Sequence, residues 1–140
     1  MSGKPAKKFS HCLEVQESDI DELGHVNNVV YLRWVQEVAA AHWNTVAPAA
    51  MKEQYSWVVL RHEIDYHRPA FMGDTIEGFT WVGMHEGAKM LRYVSLYKAG
   101  SHELLAEAKT TWCLLDAASM RPRRISEEIS TTFSEYATGE

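Results

Sequence analysis

The sequence predicts an α+β fold: one long helix packed against a curved antiparallel sheet of about five strands. Two observations carry this. From Val29 to Asn44, apolar residues recur every three or four positions. After Pro48 the period switches to two and stays there to Leu115, broken only by short turn signals. A 3.6 period marks a helix with one buried stripe, and a period of two marks strands with one buried face. A helix and a sheet that are each apolar on one side must cover one another.

The helical stripe is Tyr31, Trp34, Val35, Val38 and His42, and Arg33, Gln36, Glu37, Ala40 and Asn44 fall opposite. Arg33 and Glu37 are spaced to pair across one turn. Val29, Val30, Leu32 and the run Ala39-Ala40-Ala41 make the helix apolar overall, so it is expected to be largely enclosed. One more helical turn is expected up to Gln54.

The strands follow in order. Phe9 to Gln16 is the first, before the helix. Val58, Leu60, Ile64 and Tyr66 alternate with Val59, Arg61, Glu63 and Asp65. Arg68-Pro69 and Gly73-Asp74 break the chain. Thr75–Met84 and Lys89–Lys98 are separated by Glu86-Gly87, and Leu104–Leu115 follows the turn Ala99-Gly100-Ser101-His102. Leu104, Ala106, Ala108, Trp112 and Leu114 share one face, against Glu107, Lys109 and Thr111. Clean alternation implies an antiparallel sheet with one face buried. A terminal helix over Glu127–Tyr136 has Ser126 as its N-cap.

The length of 140 residues suits one domain with its own core. Residues 1–8 read as a disordered lead-in and 9–140 as the domain. The N-terminus is basic but has no apolar segment behind it, so it does not read as a signal peptide. No apolar run approaches the ~20 residues of a membrane span. Cys12 and Cys113 form no disulfide framework or metal spacing, and buried, reduced thiols are expected. The expected location is cytoplasmic. A net charge of −5 without a long basic face argues against nucleic acid as the ligand.

The segment before the helix holds the chemistry. Four carboxylates, Glu17, Asp19, Asp21 and Glu22, lie within six positions. Carboxylates favour helix N-termini, so a solvated capping loop accounts for some of them. Asp19 is expected to face solvent or to cap the loop. The start of a helix also presents unpaired N–H groups that can polarise a carbonyl and hold an oxyanion. A carboxylate just upstream can attack that carbonyl or activate water. Gly24 allows the tight turn between the two. His25 either tunes Asp21 or packs and bonds within the loop, and the second role is favoured. Asn27 is read as structural, bonding backbone at the turn. His62 and His67 are five apart in a strand-like run and point to opposite faces, so no metal site is expected there. The sequence has no G-x-S-x-G, P-loop or G-x-G-x-x-G motif.

Asp21-x-x-Gly24-His25-Val26-Asn27-Asn28-x-x-Tyr31-Leu32 resembles the signature of the 4-hydroxybenzoyl-CoA thioesterase family of hotdog proteins. Tyr66-His67-Arg68-Pro69-Ala70, Gly73-Asp74, Ala106-Glu107-Ala108, Trp112 to Asp116 and Arg121 to Ile125 resemble later parts of the same family, so the likeness spans roughly residues 10–130. The resemblance implies a hotdog fold and hydrolysis of acyl-CoA thioesters. It places Asp21 at the catalytic carboxylate and the backbone N–H of Asn28 at the thioester carbonyl. Gly24, His25, Tyr31 and Trp34 are the substrate-binding candidates near Asp21, with Tyr31 and Trp34 implied to line the acyl site. Lys89, Arg121, Arg123 and Arg124 are the candidates for the coenzyme A phosphates. The resemblance implies neither metal nor cofactor. It also implies a homodimer or homotetramer with sites between subunits, where residues near His67 to Phe71 reach the neighbour's Asp21. The competing readings are a non-catalytic acyl-CoA or acyl-carrier-protein binding module and a hotdog hydratase or dehydratase. The acyl group, and whether Asp21 acts as nucleophile or as base, stay open.

Overall fold

The computed structural model describes residues 7–139. The lead-in expected over residues 1–8 therefore lies mostly outside the described residues. In chain order the elements are β1 (Phe9–Glu14), a 3-10 turn (Glu17–Asp19), α1 (Asn28–Val46), α2 (Ala49–Gln54), β2 (Tyr55–Tyr66), β3 (Thr75–Glu86), β4 (Lys89–Lys98), β5 (Leu104–Asp116), α3 (Glu127–Thr132) and a second 3-10 turn (Ser134–Tyr136). The five strands form one sheet in the order β1-β3-β4-β5-β2, with every neighbour antiparallel. The sheet curves around α1, and register shifts in β2–β5, β3–β4 and β4–β5 assist the bending.

α1 lies on the concave face against β1, β3 and β4. Its whole predicted stripe, Tyr31, Trp34, Val35, Val38 and His42, is buried. Around it gather Leu13, Ile76, Val94, Leu96, Leu105 and Ala106. The helix comes unusually close to β3 at Gly78, where a Cβ would overlap a Val38 methyl. A second apolar cluster joins Met51, Val82, Met90, Leu114, Ile129 and Phe133 at the other end of the sheet. α3 begins at Ser126, whose hydroxyl accepts from Ile129 N–H as its N-cap.

Several expectations are corrected. α1 is not largely enclosed: Arg33, Gln36, Glu37, Ala40 and Asn44 stay open, because the sheet covers one stripe only. β1 ends at Glu14, since the next backbone turns into the 3-10 segment capped by Asp19. β2 starts at Tyr55, directly after α2. Its alternation breaks between Val59 and Arg61, where Leu60 is the extra residue and turns outward, 52% exposed. Cys113 is buried but Cys12 is exposed, because the β1 face that carries it points away from the core. The carboxy-terminal helix divides into α3 and a 3-10 turn around Phe133.

Candidate active site

Residues 20–26 form a loop closed at its base by an Ile20–Val26 bridge. Inside it, Asp21 N–H donates to His25 O at 2.9 Å and Gly24 N–H donates to Asp21 O at 3.1 Å. Gly24 has φ +86°, a conformation that costs a side chain dearly and glycine little. Asp21 Oδ1 accepts from Leu23 N–H at 2.9 Å, which fixes the carboxylate as an Asx-turn does. His25 Nδ1 stands 3.8 Å from Asp21 Oδ1, beyond a direct hydrogen bond. Its ring meets Phe71, in the segment before β3, edge-on. The Asp21 carboxylate remains partly open to solvent, at 26% exposure.

The loop delivers the chain to the start of α1. Asn27 Oδ1 accepts from Val29 N–H at 3.0 Å, and Asn27 O accepts from Val30 N–H at 2.9 Å. Asn27 N–H donates to Asp19 O. Among the first turn's donors, Asn28 N–H has no partner among the described residues. A helix N-terminus with one free N–H offers a partial positive charge and a hydrogen bond at one point.

Asp19 does not face solvent. It is 2% exposed, accepts from Gln16 N–H at 2.8 Å and pairs with Arg33 Nη2 at 2.9 Å. Arg33 also reaches Glu37 at 3.6 Å. The loop is thus tied to the second turn of the helix. From the other side, Tyr31 OH donates to Arg68 O, Val26 N–H donates to Ala70 O, and Tyr66 OH donates to Asn28 O. The segment His67–Phe71 therefore lies against the Asp21 loop of its own chain. Burial pushes the Tyr31 phenol above its ordinary pKa, so it stays a neutral donor. Tyr31 and Trp34 stack on one another in the core, each 1% exposed, and present no open wall in the single chain.

Lys89, Arg121, Arg123 and Arg124 gather elsewhere. The strand after the β3–β4 turn begins at Lys89, and residues 121–125 fold back over that turn through Arg123 N–H to Leu114 O and Ile125 N–H to Gly87 O. Arg123 pairs with Asp116 at 2.9 Å and lies over the Tyr55 ring. All four are exposed. They sit at the Tyr55 end of β2, whereas the Asp21 loop sits at the Tyr66 end. At ~3.3 Å per residue, the length of β2 puts roughly 35 Å between the two ends. One chain does not bring these cations to its own Asp21. His62 bonds Thr110 and Gln36, and His67 bonds Glu107, so the two rings have separate partners.

Residues 15–133 match the thioesterase-like superfamily. The chain belongs to this family. It is 29% identical over 89 residues to an acyl-(acyl-carrier-protein) hydrolase of Cuphea viscosissima, a match covering 64% of this chain and 22% of that protein. The chain spans 20% to 27% of the lengths of the curated relatives it matches. A predicted thioesterase from Bacillus stearothermophilus superposes with a TM-score of 0.83 at 18% identity, covering 96% of this chain and 99% of that one. A 1,4-dihydroxy-2-naphthoyl-CoA thioesterase from Synechocystis superposes with a TM-score of 0.77 at 17% identity, covering 91% and 96%. The fold is the hotdog fold of these thioesterases.

Sequence reasoning missed a second polar group inside this thioesterase fold. Arg92, 5% exposed, donates from Nη1 to His42 Nδ1 and to Thr80 Oγ1, each at 2.9 Å. Thr80 Oγ1 donates onward to Tyr93 O. The available signal was a charged residue at an inward position of β4, in phase with Met90, Val94 and Leu96.

Proposed function

We propose that this protein hydrolyses acyl-CoA thioesters in the manner of the 4-hydroxybenzoyl-CoA thioesterases. Asp21 serves as nucleophile or as the base for water, and Asn28 N–H receives the carbonyl oxygen. The observation that carries the reading is a fixed, solvent-accessible carboxylate in the loop that leads into a helix whose first N–H has no partner among the described residues. Oxygen adds to the thioester carbon, negative charge gathers on the carbonyl oxygen at Asn28 N–H, and the C–S bond then breaks. With Asp21 as base, water adds directly and its proton ends on the coenzyme A thiolate; with Asp21 as nucleophile, the acyl group passes to Asp21 as an anhydride, which water then hydrolyses, and either route leaves free acid and thiol.

Two copies are proposed to pair through β2, a long edge strand with no strand on its outer side among the described residues. Two-fold antiparallel pairing sets the Tyr55 end of one β2 beside the Tyr66 end of the other. The Lys89 and Arg121–Arg124 group of one copy then serves the partner's Asp21 and takes the phosphates of coenzyme A. A monomer with full activity at micromolar concentration overturns this arrangement. Because the curated relatives carry acyl-carrier-protein names, the same acyl group on coenzyme A and on carrier protein should be compared directly.

The deciding experiment is Asp21→Asn, with Glu22→Gln as the control of equal charge change in the same loop. Loss of a positioned acid–base group lowers rate by roughly 10²–10⁴-fold. Turnover should fall by that much in Asp21→Asn alone, with the fold and acyl-CoA binding kept. Near-normal hydrolysis by folded Asp21→Asn protein would turn the reading towards a binding module.

A further inference from the structure

A cavity of about 490 Å³ lies between the second half of α1, α2 and the inner face of β2, β4 and β5. That volume is in the range of small-molecule sites, roughly 300–1,000 Å³. Trp43, Tyr55, Trp57 and Trp112 supply its aromatic walls, and Lys52 and Arg92 also line it. Its lining therefore holds two cations and no carboxylate, in a chain of net charge −5.

Arg92 is the informative group. Its hydrogen-bond partners, His42 and Thr80, are both bonded through Nη1 and both are neutral acceptors, and its guanidinium lies 5.4 Å over the Phe133 ring. Nε–H and the two N–H of Nη2 have no partner among the described residues, and no carboxylate pairs with Arg92 there. The indole N–H of Trp112, on the same cavity, is buried without a partner among the described residues. A buried cation without a counter-charge and a buried donor without an acceptor are both unfavourable unless a ligand completes them. The hydrogen bonds to His42 and Thr80 need neither the charge nor the spare donors, since a neutral amide would make them, and the Phe133 face supplies no hydrogen-bond acceptor for Nε–H or Nη2 in the plane of the guanidinium. A guanidinium presents paired donors that match a carboxylate in a planar fork. Burial pushes Arg92 down to about 9, which still leaves it charged at neutral pH.

We propose that this cavity holds the acyl part of the substrate, and that Arg92 with Trp112 N–H binds a carboxylate at its far end. The substrate class is thus the coenzyme A half-thioesters of dicarboxylic acids. The proposal rests on the hydrolase reading above and on the β2 pairing, which brings the cavity of one copy towards the partner's Asp21. Within one chain, the α1 residues of the cavity lie 8 to 15 positions beyond Asn28, about 12–22 Å along the axis.

The test compares adipoyl-CoA with hexanoyl-CoA, which share a chain length and differ by the terminal carboxylate. The wild-type kcat/KM should favour adipoyl-CoA by about tenfold or more, the worth of one charge-assisted hydrogen-bonded contact. Arg92→Gln should bring the ratio to one or below, and Trp112→Phe, a milder change, should lower it part of the way. A wild-type ratio of one or less overturns the proposal, as does a preference that survives Arg92→Gln in folded protein. If wild-type protein hydrolyses neither ester, the hydrolase reading has failed, and binding decides the cavity separately. Tryptophan fluorescence should then show adipoyl-CoA binding tighter than hexanoyl-CoA, and equal or weaker binding overturns the assignment of Arg92.

Discussion

Asp19 and Arg33 meet at 2.9 Å, with the carboxylate 1% and the guanidinium 48% exposed. The pair fastens the loop before α1 to the helix one turn in. Asp19 also caps the 3-10 turn through Gln16 N–H and receives Asn27 N–H on its backbone oxygen. Two carboxylates two residues apart thereby take different work: Asp19 holds the loop, and Asp21 is left accessible.

Asp19→Asn should accordingly act on stability first. It keeps the shape but weakens two charge-assisted hydrogen bonds, each worth roughly 1.5–3 kcal/mol when intact, with less from the half-open Arg33 side. Urea denaturation should show a loss of about 1–3 kcal/mol. Glu22→Gln, on an exposed side chain, should leave the midpoint where it was. Equal stability of Asp19→Asn and wild type would refute the anchoring role.

Asn27 is the second fixture of the loop. Replacing an N-cap Asn by Ala costs about 1 kcal/mol. Because the same cap orients the first turn and with it Asn28 N–H, Asn27→Ala should lower kcat more than it changes KM. A rise in KM alone, with kcat kept, would separate the cap from the carbonyl site.

The helix and its cap were legible because their signals are local. The buried stripe from Tyr31 to His42 follows from 3.6 periodicity, and Asn27 from its place before it. Leu60 was misplaced because a bulge inserts a residue without altering composition, and every later residue changes face. Joining β1 to β3 is a long-range choice that no period records. Asp19 and Asp21 look alike in sequence, and only the approach of Arg33 divides them. Arg92 was passed over because its side chain reads as a surface group until the sheet turns its strand inward against His42 and Thr80.

Gly78 should resist substitution. A Cβ there would overlap Val38 Cγ2 and crowd Val38 Cγ1 and Leu96. Val38 is β-branched, helical and fully buried, so it has little freedom to yield. Overpacking of this kind costs typically 1–3 kcal/mol. Gly78→Ala should lose about that much, and adding Val38→Ala should restore part of it. A double mutant no more stable than the sum of the two single losses would show that the contact is not the cause.

His42 should make the fold sensitive to acid. It is fully buried, stacked on Phe9 and met edge-on by Phe133 and Tyr136, with Arg92 Nη1 donating to its Nδ1. Arg92 can only donate, so the ring proton sits on Nε2, a buried atom with no partner among the described residues. Burial, and then the Arg92 charge, push its pKa from 6.5 down to about 3. The unfolded chain takes up this proton near its ordinary pKa, and the folded chain does so only near pH 3. The stability held by neutral His42 is therefore full above about pH 6.5 and falls as pH drops towards 3, by ~1.4 kcal/mol per pH unit. Burial shifts half-buried His62 in the same direction, which adds to the slope. Wild-type protein should lose about 2 kcal/mol between pH 7 and pH 5 through His42. His42→Gln, which carries no titrating group, should start less stable at pH 7 and lose less over the same interval. Parallel urea midpoints for the two proteins from pH 7 to pH 5 would show that His42 does not set the acid limit.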